Sequence, residues 1–233
     1  MASGVSGLVL ALFMWGHLFL VGSILTGERG FNWLAGMLED YYIAQPTVFF
    51  IFVLFLVHAA LASRKIPAQL KERRRMLELG RDLSRSGRDT PAGASSTAFE
   101  PHLESLLWIW QVRTGMIILV LGSFHLILLG VDVLTPLFGE ARGIEAATSV
   151  GRVSAGLWLP YSILLVCVEF HASVGLYRLA IKWGVGSRLS RTARRNLERV
   201  MLWLFLGLGV LILLVLSNVL PPPLAFLLQG TGA

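Results

Sequence analysis

The chain has 233 residues, 55% of them hydrophobic and 15% charged, and its mean hydropathy is +0.70. Soluble domains carry about 25% charged residues, so these values exclude an ordinary water-soluble enzyme, and such hydrophobicity also excludes intrinsic disorder. The net charge of +6 would suggest a nucleic-acid partner in a soluble protein, but here the bases fall between hydrophobic blocks, and topology accounts for them without nucleic acid.

A bilayer core about 30 Å thick takes roughly 20 apolar residues in a helix. Span one is expected over about Val5–Leu25. Met1–Leu10 has no Lys or Arg, so this block lacks the basic start of a signal peptide. Span two covers about Thr47–Ala62, lengthened by the largely uncharged Tyr41–Pro46. A basic segment, 63–105, follows with Arg64, Lys65, Lys71, Arg73, Arg74, Arg75, Arg81, Arg85 and Arg88. Pro67 should open a helix over Ala68–Leu83, with a flexible link over Ser84–Ser96 and Glu100–Leu106 leading onward. Span three covers Leu106–Val133 and span four Leu157–Ala180. The segment 181–199 is again basic, with Lys182, Arg188, Arg191, Arg194, Arg195 and Arg199. Span five, Met201–Leu220, has no charge, and Pro221–Pro223 should stop it. Lipid demands that backbone groups pair internally. The expectation is therefore an all-α integral membrane protein with five spans in a single membrane domain, 1–233. Lys and Arg concentrate on the cytoplasmic side. That puts both basic segments, and the N-terminus, inside.

Five histidines are present. His102 lies in the cytoplasmic approach to span three, whereas His17, His58, His125 and His171 fall one in each of the first four spans. Ionisable residues in a membrane are costly and mark function by default. With alternating span direction, His17 and His125 lie towards the outer face, and His58 and His171 towards the inner. Two facing neutral imidazoles are the axial set of a haem b, so two levels imply two stacked haems within the first four helices. No CxxCH occurs, so attachment would be non-covalent. No carboxylate or cysteine joins the histidines as a zinc set. The lone cysteine, Cys167, lies one turn before His171 and reads as a buried, inert thiol. Gly16, Gly22, Gly122, Gly130 and Gly175 would let a flat macrocycle or a neighbouring helix approach.

Four runs carry a resemblance: Phe13-Met14-Trp15-Gly16-His17, Ser63-Arg64-Lys65-Ile66-Pro67 after His58, Gly122-Ser123-Phe124-His125, and the long run Val168 to Ala180 containing Glu169 and His171. Together they resemble the dihaem cytochrome b subunit of quinol:fumarate reductase, the succinate:quinone oxidoreductase class with one anchor chain. The resemblance covers most of the chain and is weakest over Gly80–Phe99 and between spans three and four.

It implies an anchor in the bacterial inner membrane bound to an iron–sulphur subunit and a flavoprotein. It also allows such heterotrimers to pair. Menaquinol would be oxidised near the outer face and fumarate reduced on another chain. The resemblance assigns the inner haem to His58 and His171 and the outer to His17 and His125. Glu39, after Trp33, matches the glutamate that serves menaquinol oxidation, with Asp40 as the competing base. Quinol oxidation releases protons, and a nearby base accepts them. Glu169 matches a glutamate that carries protons across the membrane. Arg113, Arg152, Arg178 and Lys182 are the candidate cations for haem propionates, against simple snorkelling to headgroups. The same complex could run as a succinate:menaquinone reductase. A hydrogenase or formate dehydrogenase haem b subunit is a further alternative, weakened because span five lacks a histidine. A haem-free transporter or structural anchor is the non-enzymatic one.

Overall fold

The computed structural model describes residues 2–86, 103–134 and 144–229. Helix α1 runs Ala2–Gly22 and tightens into a 3-10 turn, Ser23–Thr26. Gly27, at φ +98°, breaks the chain before α2, Glu28–Asp40; that φ is open to glycine and strained for other residues. Then come α3, Ala44–Ser63, and α4, Ile66–Ser86. Helix α5 is Leu103–Leu134. A short α6, Ala146–Arg152, passes through a π-type turn at Val153–Leu157 into α7, Trp158–Trp183. Gly184 ends α7 in the left-handed conformation, with the Val185 N–H reaching back to the Ala180 carbonyl, a glycine C-cap. Helix α8, Arg191–Leu216, starts on a Ser190 cap whose hydroxyl accepts from the Ala193 N–H at 3.0 Å. A last turn, α9, is Phe226–Gln229.

Among the described residues five helical stretches are long and apolar enough to cross a membrane: Ala2–Thr26, Pro46–Asp82, Leu106–Gly130, Ala146–Trp183 and Thr192–Leu216. The protein is a multi-pass membrane protein. Two helices differ in extent from expectation. The last long helix begins at Arg191, a stretch assigned to a basic loop, and ends at Leu216, before the prolines. Its exit is set by Ser217 and by Asn218 at φ +58°. The basic helix after span two is longer than expected and keeps Ser84–Ser86, read as part of the flexible link. His102, Arg88, Arg142 and the remainder of that link, 87–96, lie outside the described residues.

We name the end carrying α4 and the α7–α8 connection inner, and the end carrying α2 and α6 outer. Helix α1 packs chiefly on α3, and α7 on α5 and α8. At the outer end Ile24, Leu25, Phe31, Ala35, Ala146, Val153, Ile212, Val215 and Leu216 form a buried apolar cluster. Nearer the inner end Leu107, Val174 and Tyr177 form another. Leu18, Leu20 and Val21, next to His17 on α1, pack against the outer cluster, while none of the four intramembrane histidines is a member of either cluster. Helix α4 extends the inner end as an exposed basic arm, tied to α5 by Trp108, whose indole N–H donates to Gln69 Oε1 at 2.9 Å.

Candidate functional site

The four intramembrane histidines meet in two pairs. The rings of His17 on α1 and His125 on α5 have centroids 6.4 Å apart, at 64°. Those of His58 on α3 and His171 on α7 are also 6.4 Å apart, at 86°. A metal–imidazole bond is about 2.0 Å, and a ring centroid lies about 1.1 Å behind its nitrogen. Two imidazoles on opposite sides of one metal therefore have centroids about 6.3 Å apart. Both pairs have that spacing.

The inner pair is held from behind. His171 Nδ1 lies 2.8 Å from the Gln111 carbonyl oxygen, and His58 Nδ1 lies 3.0 Å from Ser6 Oγ. An imidazole that donates from Nδ1 keeps Nε2 as its free lone pair. Two glycines give these rings room. A Cβ on Gly115 would fall 2.9 Å from His171 Cε1, and one on Gly7 3.0 Å from His58 Cε1. Neither was singled out in the sequence. Of the glycines that were, Gly22 meets Ile212, Gly122 meets Phe55 and Gly175 meets Gln111, while Gly16 and Gly130 face open space within 4 Å.

The outer pair is held differently. His17 stacks on Phe13 at 5.9 Å, and His125 lies edge-on to Tyr161 at 5.4 Å. Among the described residues, His125 Nδ1 is buried without a hydrogen-bond partner. Arg152 is buried at the outer end, its Nη2 donating to Ser149 Oγ at 3.3 Å.

Among the described residues no three His, Cys, Asp or Glu side chains form a metal-binding group. Among the described residues each pair offers two imidazoles, with no third His, Cys, Asp or Glu joining them. A metal held there must bring its own in-plane donors, as a porphyrin iron does. The donor set, its spacing and the glycine clearances fit haem.

The other candidates are dispersed. Glu39 is half-buried on α2, and its Oε1 accepts the Ile144 N–H at 2.8 Å. Two turns earlier on the same helix, Asn32 Oδ1 accepts from the Ala146 N–H at 2.8 Å. Helix α2 thus fastens the entry to α6, while Asp40 is exposed. Glu169 is buried on α7, 5% exposed. Arg178 Nη1 donates to Gln111 Oε1 at 2.7 Å, beside the carbonyl that holds His171. Arg113 is turned onto the Trp110 ring at 5.2 Å, and Lys182 is exposed. Cys167 is a buried free thiol.

Fold and site define a class: an all-helical, multi-pass membrane protein with two opposed intramembrane histidine pairs. Residues 86–217 match the family described as succinate dehydrogenase/fumarate reductase transmembrane subunit. The chain is 35% identical over 188 residues to the fumarate reductase cytochrome b subunit of Wolinella succinogenes, covering 77% of this chain and 64% of that relative, just under two thirds of its length. It is 32% identical over 214 residues to the fumarate reductase cytochrome b subunit of Helicobacter pylori strain 26695, covering 88% of this chain and 74% of the relative. The chain belongs to the succinate dehydrogenase/fumarate reductase transmembrane subunit family.

Proposed function

We propose that this chain is the dihaem cytochrome b anchor of a menaquinol:fumarate reductase in the bacterial inner membrane, with its N-terminus in the cytoplasm. The observation that carries the reading is the repeated 6.4 Å spacing of two histidine pairs. It is supported by the relatives, both of which are fumarate reductase cytochrome b subunits. His58 and His171 would hold the inner haem, and His17 and His125 the outer. When bound, each haem supplies a one-electron carrier within the hydrocarbon core.

The remaining work falls to this chain's own residues. The Gln111 carbonyl and Ser6 orient the inner imidazoles, so that a ligand nitrogen needs little reorganisation to bind iron. Glu39 is the base for quinol. Its second carboxylate oxygen accepts the hydroxyl proton while Oε1 stays on Ile144. Glu169 carries protons inward through the membrane. Arg152 and Arg178 are the cations whose setting best suits a buried propionate. Arg113 and Lys182 serve as headgroup contacts. The exposed bases of α4 dock an iron–sulphur subunit, which passes electrons to the fumarate-reducing flavoprotein.

Pyridine haemochrome analysis of the purified complex tests this. Two haems b per chain are expected. His58→Ala should remove one and His125→Ala the other. Zero haems, or a covalent haem c, would refute the reading.

A further inference from the structure

Three positions of α7 address one residue of α5. His171 Nδ1 lies 2.8 Å from the Gln111 carbonyl oxygen, and Arg178 Nη1 donates to Gln111 Oε1 at 2.7 Å. Between them, Gln111 Nε2 rests against Gly175, where an added Cβ would fall 2.9 Å from it. Residues 171, 175 and 178 share one face of α7. The functional reading above uses the Gln111 carbonyl and leaves its side chain without a task.

Helix direction explains how one residue makes both attachments. Contacts step from Gly115 with His171, through Gln111 with Gly175, to Leu107 with Val174 and Tyr177. The two helices are therefore antiparallel. Helical carbonyls point to the C-terminal end of a helix, and side chains lean to its N-terminal end. Gln111 thus sends its carbonyl outward to His171 and its amide inward to Gly175 and Arg178. The two attachments span about 10 Å of α7. The apolar packing of Leu107 is non-directional, whereas two hydrogen bonds at that separation oppose both sliding and rotation of α7 on α5. Hydrocarbon offers no competing partner for these groups.

We propose that the Gln111 side chain is a positioning element for His171. Arg178 and Gly175 seat it, and that seat sets where the Gln111 carbonyl meets the imidazole. The proposal rests on His171 as a haem ligand. A firmly held Nδ1–H···O bond makes the ligand nitrogen more basic, which favours ferric iron and lowers the potential of the haem. Arg178 has five N–H donors, so its contact with Gln111 leaves donors for a propionate. The carbonyl belongs to the main chain and survives every substitution at position 111. A change at the haem on removal of the side chain therefore reports position, and not loss of the acceptor.

The test is Gln111→Ala in the whole complex, read by potentiometric titration and by electron paramagnetic resonance of the ferric haems. Alanine favours helix, so α5 should persist. Both haems should be retained, and the one that changes should be the haem absent from His58→Ala. Its reduced-to-oxidised ratio at a fixed potential should rise by up to about tenfold, the equivalent of one typical hydrogen bond, with its low-field g value displaced. Gly175→Ala should move the same haem the same way and add nothing once residue 111 is alanine. Loss of that haem alone also supports the seat. Unaltered potentials in Gln111→Ala overturn the proposal. So does a shift of the other haem that is as large or larger, which marks a general loosening of the bundle, and so does a fully additive effect of Gly175→Ala. If Gln111→Ala does not assemble, Gly175→Ala decides: a shift in the inner haem supports the seat, and two unaltered potentials overturn it. A wild-type complex without haem would instead remove the reading beneath it.

Discussion

Gly115→Ala is the most direct probe of the inner histidine pair. The added Cβ would stand 2.9 Å from His171 Cε1 and 3.2 Å from its Nδ1. Carbon contacts settle at about 3.5–4.0 Å, so the ring must retreat by about 0.6 Å. It has little freedom to do so. Its Nδ1 is bonded at 2.8 Å to the Gln111 carbonyl on α5, the helix that carries Gly115. Metal–ligand lengths tolerate only about 0.2 Å, so the retreat exceeds what an axial bond accepts. Overpacking of this kind costs about 1–3 kcal/mol, which is about 5- to 150-fold in haem retention at 1.4 kcal/mol per tenfold. Alanine is otherwise the better helix former by about 0.5–1 kcal/mol, so helix propensity cannot explain a loss. Haemochrome content and low-temperature difference spectra should show the inner haem depleted or no longer bis-histidine. Gly130→Ala, which meets nothing within 4 Å, should keep both haems. Two unperturbed low-spin haems in Gly115→Ala would show that this ring does not hold iron where it stands.

Two other outcomes follow from the same geometry. Ser6→Ala removes a hydrogen-bond partner from His58 Nδ1, lowering ligand basicity. One of the two midpoint potentials should rise by up to about 60 mV in a redox titration, the one-electron equivalent of a typical hydrogen bond; movement of both or of neither argues against the contact. Glu39→Gln keeps an acceptor for the Ile144 N–H but loses the base, so menaquinol-driven fumarate reduction should vanish. Dye-driven reduction and both haems should persist; retained quinol activity would shift suspicion to Asp40.

The histidines were legible because a polar ring in an apolar run stands out, and alternating span direction sorts four such rings into two levels. The glycines were not. Gly7 and Gly115 look like any other small residue in a helix until the neighbouring helices show that His58 and His171 fill the space beside them. Helix α2 was missed because Glu28, Arg29, Glu39 and Asp40 make a short amphipathic segment read as a polar connection. Glu198 was hidden for a related reason. Hydropathy reports where hydrocarbon begins, and α8 starts ten residues before the assigned span, at Arg191. A carboxylate among arginines looks solvated in sequence, yet packing against α7 buries it.

The break between α6 and α7 separates two rotations along one chain. Arg152 and His171 are nineteen residues apart, which in an unbroken helix would fix them about 100° apart around the axis. The π-type turn, with Gly156 at φ +99°, removes that constraint, much as a swivel lets one shaft turn independently of the next. The azimuth of the buried outer cation is set by how α6 docks on α2; that of the inner ligand is set by α5 and α8. A residue inserted before Arg152 therefore turns the cation by about 100° while the register of His171 is preserved, so the two ends of the bundle can diverge in sequence independently.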